Sequence, residues 1–230
     1  VSKHIAIVED EQSIADNYRD ALQRLGYRVS HFADRPSAAA AFAQTLPDLA
    51  IIDIGLGSDV EGGFELCREL RHRSARLPII FLTARDSELD VISGLRLGAD
   101  DYLTKDISLA HICARIAALF RRMEALSEAQ QPQDQVQRGD LSIDVQRMHV
   151  RWRGNAIDLT VTEFWITHAL AQHPGHVKNR QQLMDAANVV LDDHTITSHI
   201  KRIRRKFQQV DAEFQAIQTA YGMGYRWRES

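Results

Sequence analysis

The sequence predicts an α/β domain built on a doubly wound, five-stranded parallel sheet, followed by a smaller α+β domain of short antiparallel strands and three helices. Three observations lead there. First, short apolar runs alternate with helix-length amphipathic stretches through the first half, which is the pattern of buried parallel strands in a βα repeat. Second, four of those runs end on distinctive polar groups: Glu9-Asp10, Asp53, Thr83 and Lys105. Third, beyond residue 138 the pattern changes to strict alternation of apolar and polar residues.

The elements follow in order. After the run His4 to Val8, the residues Ile14, Tyr18, Ala21, Leu22 and Leu25 fall at helical spacing and stop at Gly26, a good residue just past a helix end. Strand Tyr27 to Phe32 follows, and Pro36 suits the first turn of a helix through Leu46. Next come the Leu49 to Ile52 run, a glycine-rich loop, and a helix from about Phe64 to Arg73. The Ile79 to Leu82 run, a helix from about Asp86 to Leu97, the run ending at Lys105 and a helix from Ser108 to about Met123 complete the repeat. Connections of this kind argue a right-handed, doubly wound topology.

Residues 124–137 are poor in apolar side chains and rich in Ser, Glu, Gln, Pro and Asp, as an interdomain linker is. The sequence therefore divides into domains at 1–123 and 138–230. In the second, Leu141, Ile143 and Val145, then Met148, Val150 and Trp152, then Ile157 and Leu159 predict three half-buried strands, with Gly154-Asn155 turning between the last two. Thr160 with Glu163, and Asn179 with Gln182, are capping boxes that open two helices. A third runs from about His194 to Gln209, and a hairpin around Tyr221-Gly222-Met223-Gly224 ends the chain.

Composition narrows the function classes. The chain carries 28 Lys and Arg against 31 Asp and Glu, a formal net charge of -3. No apolar stretch approaches the roughly 20 residues of a membrane span, and the N-terminus enters a strand with no signal-peptide pattern, so a cytoplasmic protein without membrane partners is expected. Cys67 and Cys113 fall on apolar positions of separate helices, which fits packed thiols rather than a disulfide framework.

The last long helix concentrates charge that the totals hide. Lys201, Arg202, Arg204, Arg205 and Lys206 stand with no acid among them, while Ile196, Ile200, Ile203 and Phe207 form an apolar face. A solvated surface is the ordinary fate of such a run. As the third of three short helices before a glycine-rich hairpin, it reads instead as a major-groove helix with a wing.

In parallel sheets ligands bind at the carboxyl ends of strands. Glu9, Asp10 and Asp53 would meet there, and their combined charge calls for a cation. An all-oxygen set with open positions suits Mg2+, which shares its coordination with water and substrate phosphate. Asp53 could then accept a phosphoryl group, as carboxylates do in aspartyl phosphates, with Lys105 and Thr83 contacting the phosphoryl oxygens. Taken singly, each residue has a bland reading as a helix cap or a solvated side chain. Their joint order along the chain is what points to chemistry.

On these residues the first half resembles the CheY-like receiver domain of two-component response regulators, and the second the winged helix-turn-helix output domain of the OmpR/PhoB type. The resemblance implies Glu9 and Asp10 as the acid pair, Asp53 as phosphoacceptor, Thr83 as switch hydroxyl, Tyr102 as switch aromatic and Lys105 as the family lysine. It implies that the Gly55 carbonyl joins Glu9, Asp10 and Asp53 around Mg2+. It also implies a sensor histidine kinase as phosphodonor, double-stranded promoter DNA as target, a homodimer on activation and RNA polymerase as a further candidate partner. Asp100, Asp101, Arg115 and Arg122 match the charged residues of the family's dimer face. A second family pair is missing there, with Val91 and His111 in its places. Thr195, Thr197, Ser198, His199, Lys201, Arg202, Arg204 and Tyr221 are the expected DNA contacts, those on the helix being placed on its exposed side.

Three features depart from the family pattern. Asp106, not proline, follows Lys105, so that bond is expected to be trans and the path of the lysine to be rerouted. The loop Ile54 to Gly63 lacks a proline and is longer by about two residues, with added glycines and acids. Tyr221 stands where many relatives carry an arginine. Other readings remain: a regulator that binds DNA without phosphate, a C-terminal module that binds protein, or a metal-dependent aspartyl-phosphate hydrolase. The last would want a second acid where this chain has Gly55, so the expected activity is that of a regulator and not an enzyme.

Overall fold

The computed structural model describes residues 2–85, 87–128, 135–187 and 193–229, with side chains for all of these except 88, 89, 92, 122, 125–128 and 193–195. The chain divides into two compact units, Val1–Ile116 and Ala117–Ser230.

The first unit alternates strand and helix: β1 (His4–Val8), α1 (Gln12–Arg24), β2 (Arg28–Phe32), α2 (Arg35–Gln44), β3 (Leu49–Ile52), α3 (Gly62–Arg73), β4 (Ile79–Thr83), α4 (Glu88–Leu97), β5 (Asp101–Thr104) and α5 (Leu109–Glu128). Its sheet is parallel throughout, in the order β2-β1-β3-β4-β5. Every residue of β3 and β4 is buried, which is why their sequences are continuously apolar rather than alternating. Val8, Ile52, Phe64, Cys67, Leu70 and Phe81 belong to one core, with the Phe64 and Phe81 rings edge to face at 5.3 Å. The strand order reverses between β1 and β3, so Glu9 and Asp53 emerge at the topological switch point.

Caps fix the helix ends that face the site. Asp34 accepts the Ser37 N–H at 2.7 Å to start α2, and Ser87 accepts the Asp90 N–H at 3.1 Å to start α4. The α2 helix stops at Gln44, earlier than expected, because Thr45 is already extended two residues before Pro47. At the start of α3 the backbone of Gly63 lies against β3: a Cβ there would sit 2.0 Å from the Asp53 carbonyl oxygen. Cys67 is buried, whereas Cys113 is only half-buried.

The second unit opens with β6 (Gln135–Arg138), β7 (Leu141–Asp144), β8 (His149–Trp152) and β9 (Asn155–Ile157) in one antiparallel sheet. Helices α6 (Val161–Gln172), α7 (Arg180–Ala186) and α8 (Asp193–Val210) follow, then the hairpin β10 (Ile217–Ala220) and β11 (Gly224–Trp227). Trp152 centres the core, meeting Phe207 at 5.8 Å and Phe214 at 5.0 Å, with its indole N–H donated to Asp211 at 2.8 Å. The stretch read as linker gives its first residues to α5 and its last to β6. Glu124, Ala125 and Leu126 are good helix formers, and β6 is an edge strand with Val136 as its sole apolar residue, too little for an alternation signal.

Candidate phosphoryl site and nucleic-acid interface

Three strand ends converge as the apolar runs imply. The Asp53 N–H donates to Val8 O at 2.9 Å and the Lys105 N–H to Thr83 O at 2.9 Å, so the ladder continues just past the strands and fixes where these side chains leave the sheet. Glu9, Asp10 and Asp53 each bring a carboxylate oxygen within 4.8 Å of the others. Glu9 and Asp53 are buried and Asp10 is exposed, so the pocket is closed below and open at its rim. An all-oxygen donor set of this charge fits Mg2+.

Lys105 offsets part of the pocket's negative charge. Its Nζ lies 2.6 Å from Asp53 Oδ2 and 2.8 Å from Glu9 Oε2. Burial alone would lower the lysine pKa, but hydrogen bonds to Asp53 and Glu9 outweigh it and the ammonium is held more tightly than usual. Glu9 titrates above the usual carboxylate range, chiefly through burial, with Lys105 opposing the shift and the Asp53 charge adding to it. The bond after Lys105 is trans, yet the lysine reaches both acids, so the expected rerouting does not occur. Asp106 accepts the Thr104 hydroxyl instead.

Thr83 is buried, and its Oγ1 accepts the Arg85 N–H at 3.3 Å. Tyr102 is also buried, its ring tilted against Phe81 at 6.1 Å and its hydroxyl donated to Arg85 O at 2.9 Å. Gly94 of α4 makes room for both rings, since a Cβ there would come within 3.0 Å of each. Gly55 lies open, with no atom within 4 Å of where a Cβ would stand.

Asp100 and Asp101, expected at a dimer face, are engaged within the unit in this chain. Asp100 is fully buried, and its Oδ2 accepts from Arg71 Nη2 at 2.8 Å and from the Ile79 N–H at 3.1 Å. Asp101 is buried too, bonded to Arg115 Nη1 at 2.7 Å within the same unit. A buried carboxylate demands such partners, and both acids find them within the unit. The Arg122 side chain lies outside the described residues.

The cationic helix also turns differently from expectation. Ser198, His199 and Arg202 are buried, not on the exposed side. Arg202 donates from Nε to Glu163 Oε1 at 2.7 Å, and Lys206 Nζ lies 2.6 Å from Glu163 Oε2. Glu163 simultaneously completes the capping box of α6, accepting the Thr160 N–H at 2.8 Å. Burial would raise the Glu163 pKa, but Arg202 and Lys206 drive it well below the carboxylate range. Both His199 ring nitrogens have no hydrogen-bond partner among the described residues, and burial, reinforced by Arg202, lowers its pKa to about 3.

Along the side of α8 opposite its isoleucines, Lys201, Arg205 and Gln208 are exposed, with Thr197 half-buried beside them. These follow i, i+4, i+7 opposite the isoleucine face. Arg204 turns to the hairpin, donating to Ile217 O at 3.0 Å and Thr219 Oγ1 at 2.9 Å with its guanidinium over the Tyr225 ring. At the hairpin tip Tyr221 is 92% exposed and Met223 63%. The hairpin is seated by paired backbone bonds between Lys178 and Tyr225 at 2.8 and 2.9 Å, and Gly224 passes so close that a Cβ would lie 2.1 Å from Lys178 O. The Thr195 side chain is outside the described residues.

Residues 5–117 match the response regulator receiver domain family, and residues 154–227 match the family described as "Transcriptional regulatory protein, C terminal". The transcriptional regulatory protein BaeR of Escherichia coli is 39% identical over 227 residues, covering 97% of this chain and 92% of that protein. This chain belongs to the response regulators of the OmpR/PhoB type. The regulator is also 37% identical to CreB of Escherichia coli, covering 96% of each chain. The solved structure of DrrB, a Thermotoga maritima OmpR/PhoB homolog, aligns over 99% of the regulator and 100% of that chain with a TM-score of 0.52 and 26% identity.

Two residues of the regulator that matter here were not among the expected site residues, although Arg205 was counted in the cationic run. Arg205 had a signal, because projecting α8 as a helix puts it opposite Ile196, Ile200 and Ile203. Arg85 had none beyond its place two residues after Thr83, since its partners in the loop 54–63 are distant in sequence. Among the described residues no helix is long and apolar enough to cross a membrane.

Proposed function

We propose that the regulator is switched by phosphorylation of Asp53 by a sensor histidine kinase, and that the phosphorylated form dimerises and binds promoter DNA. The observation that carries this reading is the pairing of Lys105 Nζ with Asp53 Oδ2 at 2.6 Å beside two further carboxylates. It supports the reading because an acceptor oxygen, a counter-charge and further carboxylates suited to a cation lie together.

Glu9, Asp10, Asp53 and the carbonyl of Gly55 are the residues that would hold Mg2+, which supplies charge neutralisation to phosphoryl oxygens when bound. An Asp53 carboxylate oxygen attacks phosphorus, and the bond from phosphorus to the donor nitrogen breaks with its electron pair leaving on the imidazole of the donor. Lys105 exchanges its carboxylate contact for a phosphoryl oxygen, and the Thr83 hydroxyl donates to another. Phosphoryl transfer asks mainly for such positioning.

The DNA-binding surface is the exposed side of α8 with the hairpin as wing: Thr197, Lys201, Arg205 and Tyr221. Lysine and arginine give phosphate contacts, and an arginine that reaches a guanine edge contributes about 1 to 3 kcal/mol of discrimination. The test is DNA affinity of wild type and Asp53→Asn with and without a small acyl phosphate, on sites selected from a random duplex library. Tighter binding by phosphorylated wild type alone is expected. Equal binding by both proteins would move the reading to a regulator independent of phosphate.

A further inference from the structure

The loop between β3 and α3 is fastened on three sides. Leu56 is buried beneath it, and Leu56 and Asp59 exchange backbone hydrogen bonds at 3.0 and 3.1 Å, closing a small turn. Gly57, at φ +63, donates its N–H to Asp10 Oδ2 at 3.0 Å, which ties the turn to the rim of the acid pocket. Arg35 at the start of α2 holds Asp59 at 3.1 Å and Glu69 of α3 at 2.9 Å.

The third fastening comes from Arg85. Its Nη2 donates to Val60 O at 2.9 Å, and its Nη1 lies 3.5 Å from Glu61 and 3.3 Å from Asp90. The backbone of this residue meets the two side chains expected to move: its N–H donates to Thr83 Oγ1 and its carbonyl accepts from Tyr102. One residue thus touches the hydroxyl, the aromatic ring and the loop beside Asp53.

We infer that Arg85 is a positioning residue that latches the loop 56–61 over the acid pocket and makes opening of that loop depend on the state of Thr83. A Thr83 hydroxyl that rotates toward a phosphoryl group on Asp53 releases the Arg85 N–H. The segment carrying the guanidinium then shifts, and the contacts to Val60 and Glu61 go with it. While the latch is closed, it slows entry of a phosphodonor, and by the same coupling it stands open once Asp53 carries the phosphoryl group. The inference rests on the proposed phosphoacceptor role of Asp53.

Two measurements on the full chain test it, using Arg85→Ala, Arg85→Lys and Glu61→Gln. Amide exchange of residues 59–62 should rise about tenfold in Arg85→Ala, the size expected for losing one hydrogen bond to a charged group, while β1, β3 and β4 stay protected. Acetyl phosphate with Mg2+ should load Arg85→Ala faster than wild type while its acyl phosphate hydrolyses at the wild-type rate, and in wild type the exchange of residues 59–62 should rise on phosphorylation toward the Arg85→Ala value. Arg85→Lys and Glu61→Gln should fall between, since each keeps part of the contact set. Unchanged exchange at 59–62 in Arg85→Ala, an unmoved loading rate, or wild-type exchange that does not rise on phosphorylation would overturn the latch. A wild type that takes no phosphoryl group would instead overturn the phosphoacceptor reading, and the exchange data would still decide whether Arg85 fastens the loop.

Discussion

Arg202 Nε donates to Glu163 Oε1 at 2.7 Å, joining the middle of α8 to the first turn of α6 inside the core. With Lys206 on the other carboxylate oxygen, a single buried acid caps one helix and holds the DNA-facing helix in place. Removing one partner of a buried pair costs about 3 to 5 kcal/mol when the other is left alone, and with Lys206 still on Glu163 the loss falls toward the lower end. Arg202→Ala is therefore expected to lower the melting temperature of the output domain strongly in calorimetry. A melting temperature within error of wild type would refute the structural role.

Lys201 and Arg205 should behave in the opposite way. Alanine at either position leaves thermal stability unchanged but weakens DNA binding, and lowers the slope of log affinity against log salt by about one per cation removed. Tyr221→Ala should weaken binding without changing that slope, because no charge is lost. Affinities measured across a salt series separate the two effects.

His199 makes the output domain sensitive to acid. Its pKa in the folded chain, about 3, lies below the ordinary value of 6.5. Between those values the unfolded chain binds the extra proton, so stability falls as pH drops through 6.5 and levels off only below the folded pKa. Glu163, whose pKa is also depressed, adds to the loss once pH falls below its ordinary 4.5. Between pH 6.5 and 5 the histidine accounts for about 2 kcal/mol. His199→Leu should flatten this part of the profile in urea unfolding; an unaltered pH slope would assign the sensitivity elsewhere. The same variant should keep near-normal DNA affinity at neutral pH, since the ring is buried.

The parallel sheet and the placement of its strand-end residues were legible because buried strands are continuously apolar and their next residues are forced to the carboxyl edge. Glu9, Asp53, Thr83 and Lys105 needed only that periodicity. The orientation of α8 was legible in part. Ile196, Ile200, Ile203 and Phe207 set the buried face, but a cationic run looks exposed when Glu163, about 40 residues away, is not seen as its partner. The burial of Asp100 went unread for the same reason, its partner Arg71 being 29 residues away. Edge strand β6 carried too little apolar pattern to register. Long-range ion pairs, unlike helical and strand periods, leave no local trace.

The central claim is that Asp53 is the phosphoacceptor. Intact-mass analysis of the full chain after incubation with acetyl phosphate and Mg2+ addresses it directly. One added phosphoryl group on wild type, lost on chelation of Mg2+ before incubation and absent in Asp53→Asn, is the predicted result. No addition to wild type, or addition undiminished in Asp53→Asn, would contradict it.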